Sequence, residues 1–200
     1  MKKYWKVFVL LLVAGIMIGD LLVDYRTQVR AYSRSQPAAL QDRNVGLAVG
    51  DLAPEFSGTT IDGQTLSLSD LDGKLVVVNV FASWCGPCRV ETPHLVEVYD
   101  ELDRDQVEFV GLNLQETKGA VKSFQEEFSI DYPLLINEGG EITEIYRPIG
   151  LPTTWFIDQN GIVRFTFSGP LTKDSLQVIL DDVAAGREPN PFAVIRQNPG

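Results

Sequence analysis

The order of hydrophobic and polar positions in the middle of the chain predicts strands that alternate with helices. Residues 75–82 (LVVVNVFA) form a nearly continuous apolar run with several β-branched side chains, which is typical of a strand buried on both faces. Residues 86–104 follow with apolar side chains at helical spacing, and residues 107–114 have the pattern of the next strand. This strand–helix–strand order indicates a parallel pair of strands covered by helices.

The rest of this region adds two helices and a hairpin. Residues 117–128 show apolar positions at helical spacing, and residues 172–185 predict a last helix with Thr172 as its N-cap. Between these helices, Asn160-Gly161 separates two apolar runs and indicates a β-hairpin.

The N-terminal segment is apolar with basic residues before it. Residues 7–19 carry no charge and have the length of a signal peptide, whereas residues 4–23 are long enough to span a bilayer as a helix. We favour an uncleaved anchor over residues 1–23, because no A-x-A cleavage site follows, and a signal peptide is the alternative. The preceding lysines predict a single-pass cell-membrane protein whose folded domain is extracytoplasmic.

Composition divides the remainder of the chain into three parts. Residues 24–48 are polar without a clear period, so we interpret them as a linker. Residues 49–185 hold the alternating pattern and form one predicted domain. Residues 186–200 are rich in Pro, Gly and Asn, which predicts a flexible tail.

The charge distribution excludes two classes of partner. The chain of 200 residues has a formal net charge of −10, yet residues 1–34 are basic. The rest of the chain contains 11 basic and 25 acidic residues, a net charge of −14. Phosphate backbones and anionic lipid surfaces repel such a domain, so we expect no nucleic-acid binding and no electrostatic docking on a membrane.

Two cysteines stand where the apolar strand ends and the helix begins. A thiolate at a helix N-terminus is stabilised by unpaired backbone N–H groups and by the helix dipole, so Cys85 is the predicted nucleophile. Cys88 lies one turn further and can resolve the mixed disulfide that Cys85 forms. Half of a zinc site is the alternative, but zinc needs four ligands and the chain has two Cys and one His. We therefore expect no metal.

Four motifs follow one another along the chain: Trp84-Cys85-Gly86-Pro87-Cys88, Glu91 with Pro93, Leu151-Pro152-Thr153-Thr154, and Asp158-Gln159-Asn160-Gly161. In this order they resemble the motifs of the thioredoxin superfamily, and more closely those of its membrane-anchored TlpA/ResA-type thiol-disulfide oxidoreductases. The resemblance implies an α/β, thioredoxin-like fold with a central mixed β-sheet flanked by helices, an extra N-terminal β-hairpin and an inserted helix over residues 117–128.

The resemblance also implies roles for individual residues. Pro152 matches the family's cis-proline, which packs beside the cysteines, and the implied substrate contacts are Trp84, Pro87, Leu151 and Pro152. Asn79 stands where thioredoxin itself has a buried, titrating aspartate, and asparagine cannot titrate.

Glu91 is the candidate that replaces this aspartate. It lies three residues after Cys88 on the same side of the helix, where a partly buried carboxylate with a raised pKa can serve as an acid/base catalyst. This chain resembles TlpA/ResA-type proteins in lacking the buried aspartate and having a glutamate at this position of the helix. A solvated helix carboxylate is the alternative interpretation of Glu91.

The resemblance implies an enzyme that reduces protein disulfides through its own pair of cysteines and needs no further cofactor. The implied partners are a disulfide-containing protein, with apocytochrome c in cytochrome c maturation as the family's substrate, and a membrane-embedded thiol electron donor. We expect a monomer. Two alternatives stay open: a disulfide oxidase or isomerase, and a non-catalytic copper- or protein-binding thiol module.

The position of Cys85 generates the first prediction. In the reduced protein, sub-stoichiometric iodoacetamide should label Cys85 before Cys88, because the helix N-terminus stabilises the Cys85 thiolate. Peptide mapping of the alkylated protein measures the two yields. Preferential labelling of Cys88 would show that the nucleophile has been assigned to the wrong cysteine.

Overall fold

A computed structural model describes residues 43–197 as seven strands and five α-helices, with one 3-10 helix at residues Leu68–Leu71. The strands are β1 (Ser57–Thr60), β2 (Thr65–Ser67), β3 (Leu75–Phe81), β4 (Val107–Asn113), β5 (Leu134–Ile136), β6 (Thr153–Ile157) and β7 (Val163–Ser168). The helices are α1 (Gly86–Glu101), α2 (Lys118–Phe128), α3 (Glu141–Tyr146), α4 (Lys173–Ala184) and α5 (Pro191–Gln197).

The strands form one mixed sheet in the order β2-β1-β5-β4-β3-β6-β7. β3, β4 and β5 run parallel, whereas β1, β2, β6 and β7 pair with their neighbours in antiparallel fashion. The predicted fold class is confirmed, including the N-terminal hairpin of β1 and β2 and the inserted helix α2.

Strand β3 lies at the centre of this sheet, and all seven of its side chains are buried. Because side chains of a strand alternate between faces, Leu75, Val77 and Phe81 join one hydrophobic cluster with α1, α2 and α4. Val76, Val78 and Val80 join a second cluster on the opposite face, with α3 and the 3-10 helix. The prediction of a strand covered on both faces is confirmed.

Four chain segments meet at the carboxyl end of β3. The helix α1 begins there, and β4 ends beside it because Phe81 pairs with Asn113. On the other side, Val80 pairs with Thr153 at the start of β6. The segment between β7 and α4 reaches the same edge through Gly169 N, which donates to Pro152 O at 2.9 Å.

Short elements differ from the sequence-based expectation. β5 and α3 have three and six residues, too few for a hydrophobic period to identify. In the tail, where the sequence predicts a flexible end, α5 forms and buries Val194. Ser175 Oγ in α4 donates to Val194 O at 3.3 Å, so a contact between distant parts of the chain fixes this helix.

The predicted location of the protein needs correction. The sequence predicts a single-pass membrane protein, but residues 43–197 contain no helix that is long and apolar enough to cross a membrane. The segment on which that prediction depended, residues 1–23, lies outside the described residues, as does the linker up to residue 42.

Candidate active site

The two cysteines lie at the turn between β3 and α1. Cys85 is the N-cap residue of α1, with extended backbone angles, and its Sγ accepts a hydrogen bond from Cys88 N at 3.1 Å. Cys85 N closes the turn by donating to Ala82 O at 3.1 Å. Pro87 occupies the first turn of the helix, where its missing N–H removes no helical hydrogen bond. The Cys-Gly-Pro-Cys sequence therefore fits a helix start without strain.

Cys85 and Cys88 form a disulfide with their Cα atoms 5.2 Å apart, and this bond is the redox centre. Both cysteines are almost completely buried, whereas Pro87 and Trp84 are exposed, Trp84 by 68%. A large exposed indole thus lies next to a nearly covered disulfide. Among residues 43–197, no group of three or more metal-ligating side chains is placed to hold a metal ion.

The loop before β6 forms the second wall of the site. The Leu151–Pro152 peptide bond is cis, as the resemblance implies, and Pro152 is buried. Leu151 is half-buried and packs against the hydrophobic cluster that contains both cysteines. Thr153 Oγ1 donates to Gly150 O at 2.7 Å and fixes the conformation of this loop. The structure thus brings Leu151 and Pro152 to the edge of the sheet where the cysteines lie.

Glu91 lies inside the protein, one helical turn beyond Cys88, and only 1% of it is exposed. Its Oε2 accepts from Asn79 Nδ2 at 3.0 Å, and its Oε1 accepts from Leu171 N at 3.1 Å. Asn79 Nδ2 also donates to Thr154 Oγ1 at 2.9 Å, two residues after the cis-proline. The interpretation of Glu91 as a solvated helix carboxylate does not fit these contacts.

Burial raises the pKa of Glu91 to about 8, although the hydrogen bonds from Leu171 and Asn79 act in the opposite direction. The cause is the loss of hydration, which disfavours the charged carboxylate. A carboxyl group with such a pKa exchanges a proton near neutral pH, as an acid/base catalyst must. The sequence-based expectation of a raised pKa agrees with this environment.

The sequence analysis does not identify two neighbours of Glu91. Tyr132 is buried, and its pKa is raised, first by burial and then by the negative charge of Glu91. Leu171 contributes only its backbone N–H from a position 80 residues away along the chain. A tyrosine among other aromatic core residues and a backbone group carry no sequence signal for such a contact. The remaining candidate considered from sequence, His94, is half-buried on α1.

The raised pKa of Glu91 predicts how stability depends on pH. In the unfolded chain this carboxyl group ionises near its ordinary pKa of 4.5, whereas in the folded protein it keeps its proton up to about pH 8. Between these values the folded state binds more protons, so the free energy of unfolding falls with rising pH by up to about 1.4 kcal/mol per pH unit. Glu91→Gln lacks this contribution.

Urea denaturation of the oxidised protein from pH 4 to 9 measures the effect. The free energy of unfolding of Glu91→Gln, relative to that of the native protein, should rise between about pH 4.5 and 8 and stay constant outside that range. Parallel curves for the two proteins over the whole range would mean that Glu91 titrates normally.

Comparison with known proteins agrees with this geometry. Residues 49–166 match the AhpC/TSA family. The thiol-disulfide oxidoreductase ResA of Oceanobacillus iheyensis is 36% identical over 149 residues, which cover 72% of this chain and 78% of the relative. ResA of Bacillus thuringiensis subsp. konkukian is 36% identical over 137 residues, covering 68% of this chain and 79% of that protein.

Solved structures of thiol-disulfide exchange proteins are also similar to this chain. A thioredoxin-family thiol:disulfide interchange protein from Chlorobium tepidum TLS is 34% identical with a TM-score of 0.61, covering 67% of this chain and 96% of that one. StoA from Bacillus subtilis is 28% identical with a TM-score of 0.56, covering 62% of this chain and 94% of that one. The resemblance to thioredoxin-like proteins is confirmed. The chain belongs to the AhpC/TSA family, and it is a thiol-disulfide oxidoreductase of the ResA type.

Proposed function

We propose that this oxidoreductase works as a reductant of protein disulfides, with apocytochrome c among its substrates in cytochrome c maturation. The observation that carries the proposal is the buried carboxyl group of Glu91, one helical turn from Cys88 and hydrogen-bonded to Asn79. A reductant must remove a proton from its second thiol before that thiol can attack, and Glu91 is suited to this step.

The first step uses Cys85. In the reduced protein, the Cys85 thiolate attacks one sulfur of the substrate disulfide, and the bond between the two substrate sulfurs breaks. The product is a mixed disulfide between Cys85 and the substrate, and the other substrate sulfur leaves as a thiolate. The N-cap position of Cys85 supports this role, because the helix dipole and the N–H of Cys88 stabilise its negative charge.

The second step uses Cys88 and Glu91. The Glu91 carboxylate takes the proton of the Cys88 thiol, and the Cys88 sulfur attacks Cys85 Sγ. The mixed disulfide breaks, the second substrate sulfur leaves as a thiolate, and both substrate thiolates take up protons. Two electrons have then passed to the substrate, and the protein holds the Cys85–Cys88 disulfide seen in the structure. A thiol electron donor must reduce this disulfide before the next cycle.

The pKa of Glu91 supports its assignment as the base. At about 8, this pKa lies near neutral pH, so part of the protein holds Glu91 as the carboxylate that can accept a proton. Asn79 cannot take this proton, because an amide does not titrate, but its side chain orients the Glu91 carboxylate.

Two features support a protein as the substrate and reduction as the direction. Trp84 beside Cys85 is 68% exposed, and Ile149, three residues before the cis-proline, is 94% exposed. Exposed apolar side chains on both walls of the site suit a polypeptide better than a small polar disulfide. The Gly86-Pro87 dipeptide between the cysteines resembles that of reducing thioredoxin, and cytochrome c maturation is the role that the resemblance to ResA-type proteins implies.

Glu91→Gln tests the role of the base. The variant keeps the shape of the side chain and removes its titration, so single-turnover reduction of insulin by the reduced protein should slow by roughly a hundredfold or more. The rate for the native protein should contain a component that rises with pH around 8, and the variant should lack it. If the rate and its pH profile were the same in both proteins, Glu91 would have no part in proton transfer.

Cys88→Ala tests the substrate. This variant can form the mixed disulfide but cannot resolve it, so the reduced variant should capture oxidised apocytochrome c through Cys85 in a covalent complex that dithiothreitol releases. Non-reducing electrophoresis with mass spectrometry identifies the captured protein, and Cys85→Ala is the control that should capture none. Capture of other disulfide proteins without apocytochrome c would exclude cytochrome c maturation but retain the reductase.

A further inference from the structure

Glu116 lies in the loop between β4 and α2, and it binds the turn that precedes the cysteines. Its Oε2 accepts hydrogen bonds from Ser83 N and from Asn113 Nδ2, both at 2.7 Å, and its Oε1 accepts from Ser83 Oγ. In return, Glu116 N donates to Asn113 Oδ1 at 2.8 Å. Asn113 is fully buried at the end of β4. The carboxylate is therefore fixed to the sheet on one side and holds Ser83 on the other.

The carboxylate of Glu116 is not needed to cap α2, although it stands just before that helix. Thr117 is the N-cap residue of α2, and its Oγ1 accepts from Ala120 N at 3.4 Å. Lys118 N donates to Glu138 Oε1 at 2.8 Å. Since other acceptors serve the first turn of α2, the contacts of Glu116 with Ser83 need a different explanation.

Arg89 also binds Ser83, through the carbonyl oxygen of Ser83. Its Nη1 donates to Ser83 O at 3.2 Å, while its guanidinium group forms an ion pair with Glu127. The guanidinium carbon also lies 5.1 Å from the ring centroid of Phe128, within the range of a cation–π contact. The N–H, the hydroxyl group and the carbonyl oxygen of Ser83 are thus all hydrogen-bonded. Side chains from the β4–α2 loop and from α1 bind the same residue.

Ser83 lies two residues before Cys85, within the turn that Cys85 N closes by bonding to Ala82 O. Displacement of Ser83 would move the start of α1 and the exposed Trp84 with it. We propose that Glu116 and Arg89 are positioning residues for Cys85, which act by holding Ser83. They keep the nucleophile oriented toward the disulfide of a bound polypeptide. This inference rests on the proposed function.

Because Glu116 and Arg89 carry opposite charges, neutralising each of them distinguishes a positioning effect on Cys85 from an electrostatic one. A nearby anion disfavours the Cys85 thiolate, and a nearby cation favours it. If Glu116 and Arg89 acted only through charge, their neutralisation would change the rate of Cys85 in opposite directions. If they act by holding Ser83, both neutral variants lose rate.

The experiment compares Glu116→Ala and Arg89→Met in the full chain. Single-turnover reduction of insulin by each reduced variant should slow by about tenfold or more, because a small misplacement of a reacting group costs a large factor in rate. The pH dependence of Cys85 alkylation by iodoacetamide reports the charge effect separately, since this small reagent needs no oriented site. Glu138→Ala is the matched control: it removes an exposed carboxylate that accepts one backbone bond in the neighbouring region, and it should reduce insulin at the native rate.

Several results would overturn the inference. These are unchanged insulin reduction in both variants, changes of opposite sign, or an equal loss in Glu138→Ala. Thermal unfolding checks that the variants fold; if Glu116→Ala does not, Glu116→Gln and Ser83→Ala replace it. Each of those removes part of the contact and should give a smaller loss, and native rates in both would also reject the proposal. If the native protein itself did not reduce insulin, the proposed function would fail instead.

Discussion

The carboxyl group of Glu91 has to be buried and hydrogen-bonded at the same time, and this constraint organises the site. A carboxyl group removed from water needs partners, and Glu91 finds them in Asn79 of the central strand and in the backbone N–H of Leu171. These partners lie 12 and 80 residues away along the chain. The same two bonds therefore attach the helix that carries the cysteines to the sheet and to the segment that leads into α4.

That segment also binds the loop of the cis-proline, so the contacts form a closed ring. Gly169 N donates to Pro152 O at 2.9 Å, and Asn79 Nδ2 donates to Thr154 Oγ1 at 2.9 Å. From Asn79 the ring passes through Thr154 and Pro152 to the segment at Leu171 and returns through Glu91. Because each bond fixes two elements, the wall formed by the cysteines and the wall formed by the cis-proline are positioned together rather than independently.

The sequence predicted those parts of the fold that depend on interactions between residues close together along the chain. The apolar run of β3, the Asn-Gly hairpin and the N-cap at Thr172 are short-range features, and Thr172 does accept a bond from Ser175 N as predicted. The spacing of Cys85, Cys88 and Glu91 along one helix is equally local. In contrast, α5 depends on a contact between Ser175 and Val194. Glu91 and Ser83 each have one partner in a distant connecting segment, Leu171 for Glu91 and Glu116 for Ser83. Backbone groups such as Leu171 N have no sequence signature, so only the folded chain identifies them.

The two cysteines lie in different environments, although only one helix turn separates them. In the proposed mechanism, the first thiol must react with the substrate disulfide, whereas the second must keep its proton until the mixed disulfide has formed. Cys85 stands at the N-cap beside the exposed Trp84, and Cys88 lies inside with 1% of its surface exposed. Asn79 on β3 cannot titrate, so the buried acid belongs to the helix itself. Glu91 and Cys88 lie on the same helix, α1, so helical geometry fixes the distance between their backbones. A movement of α1 relative to the sheet leaves that distance unchanged.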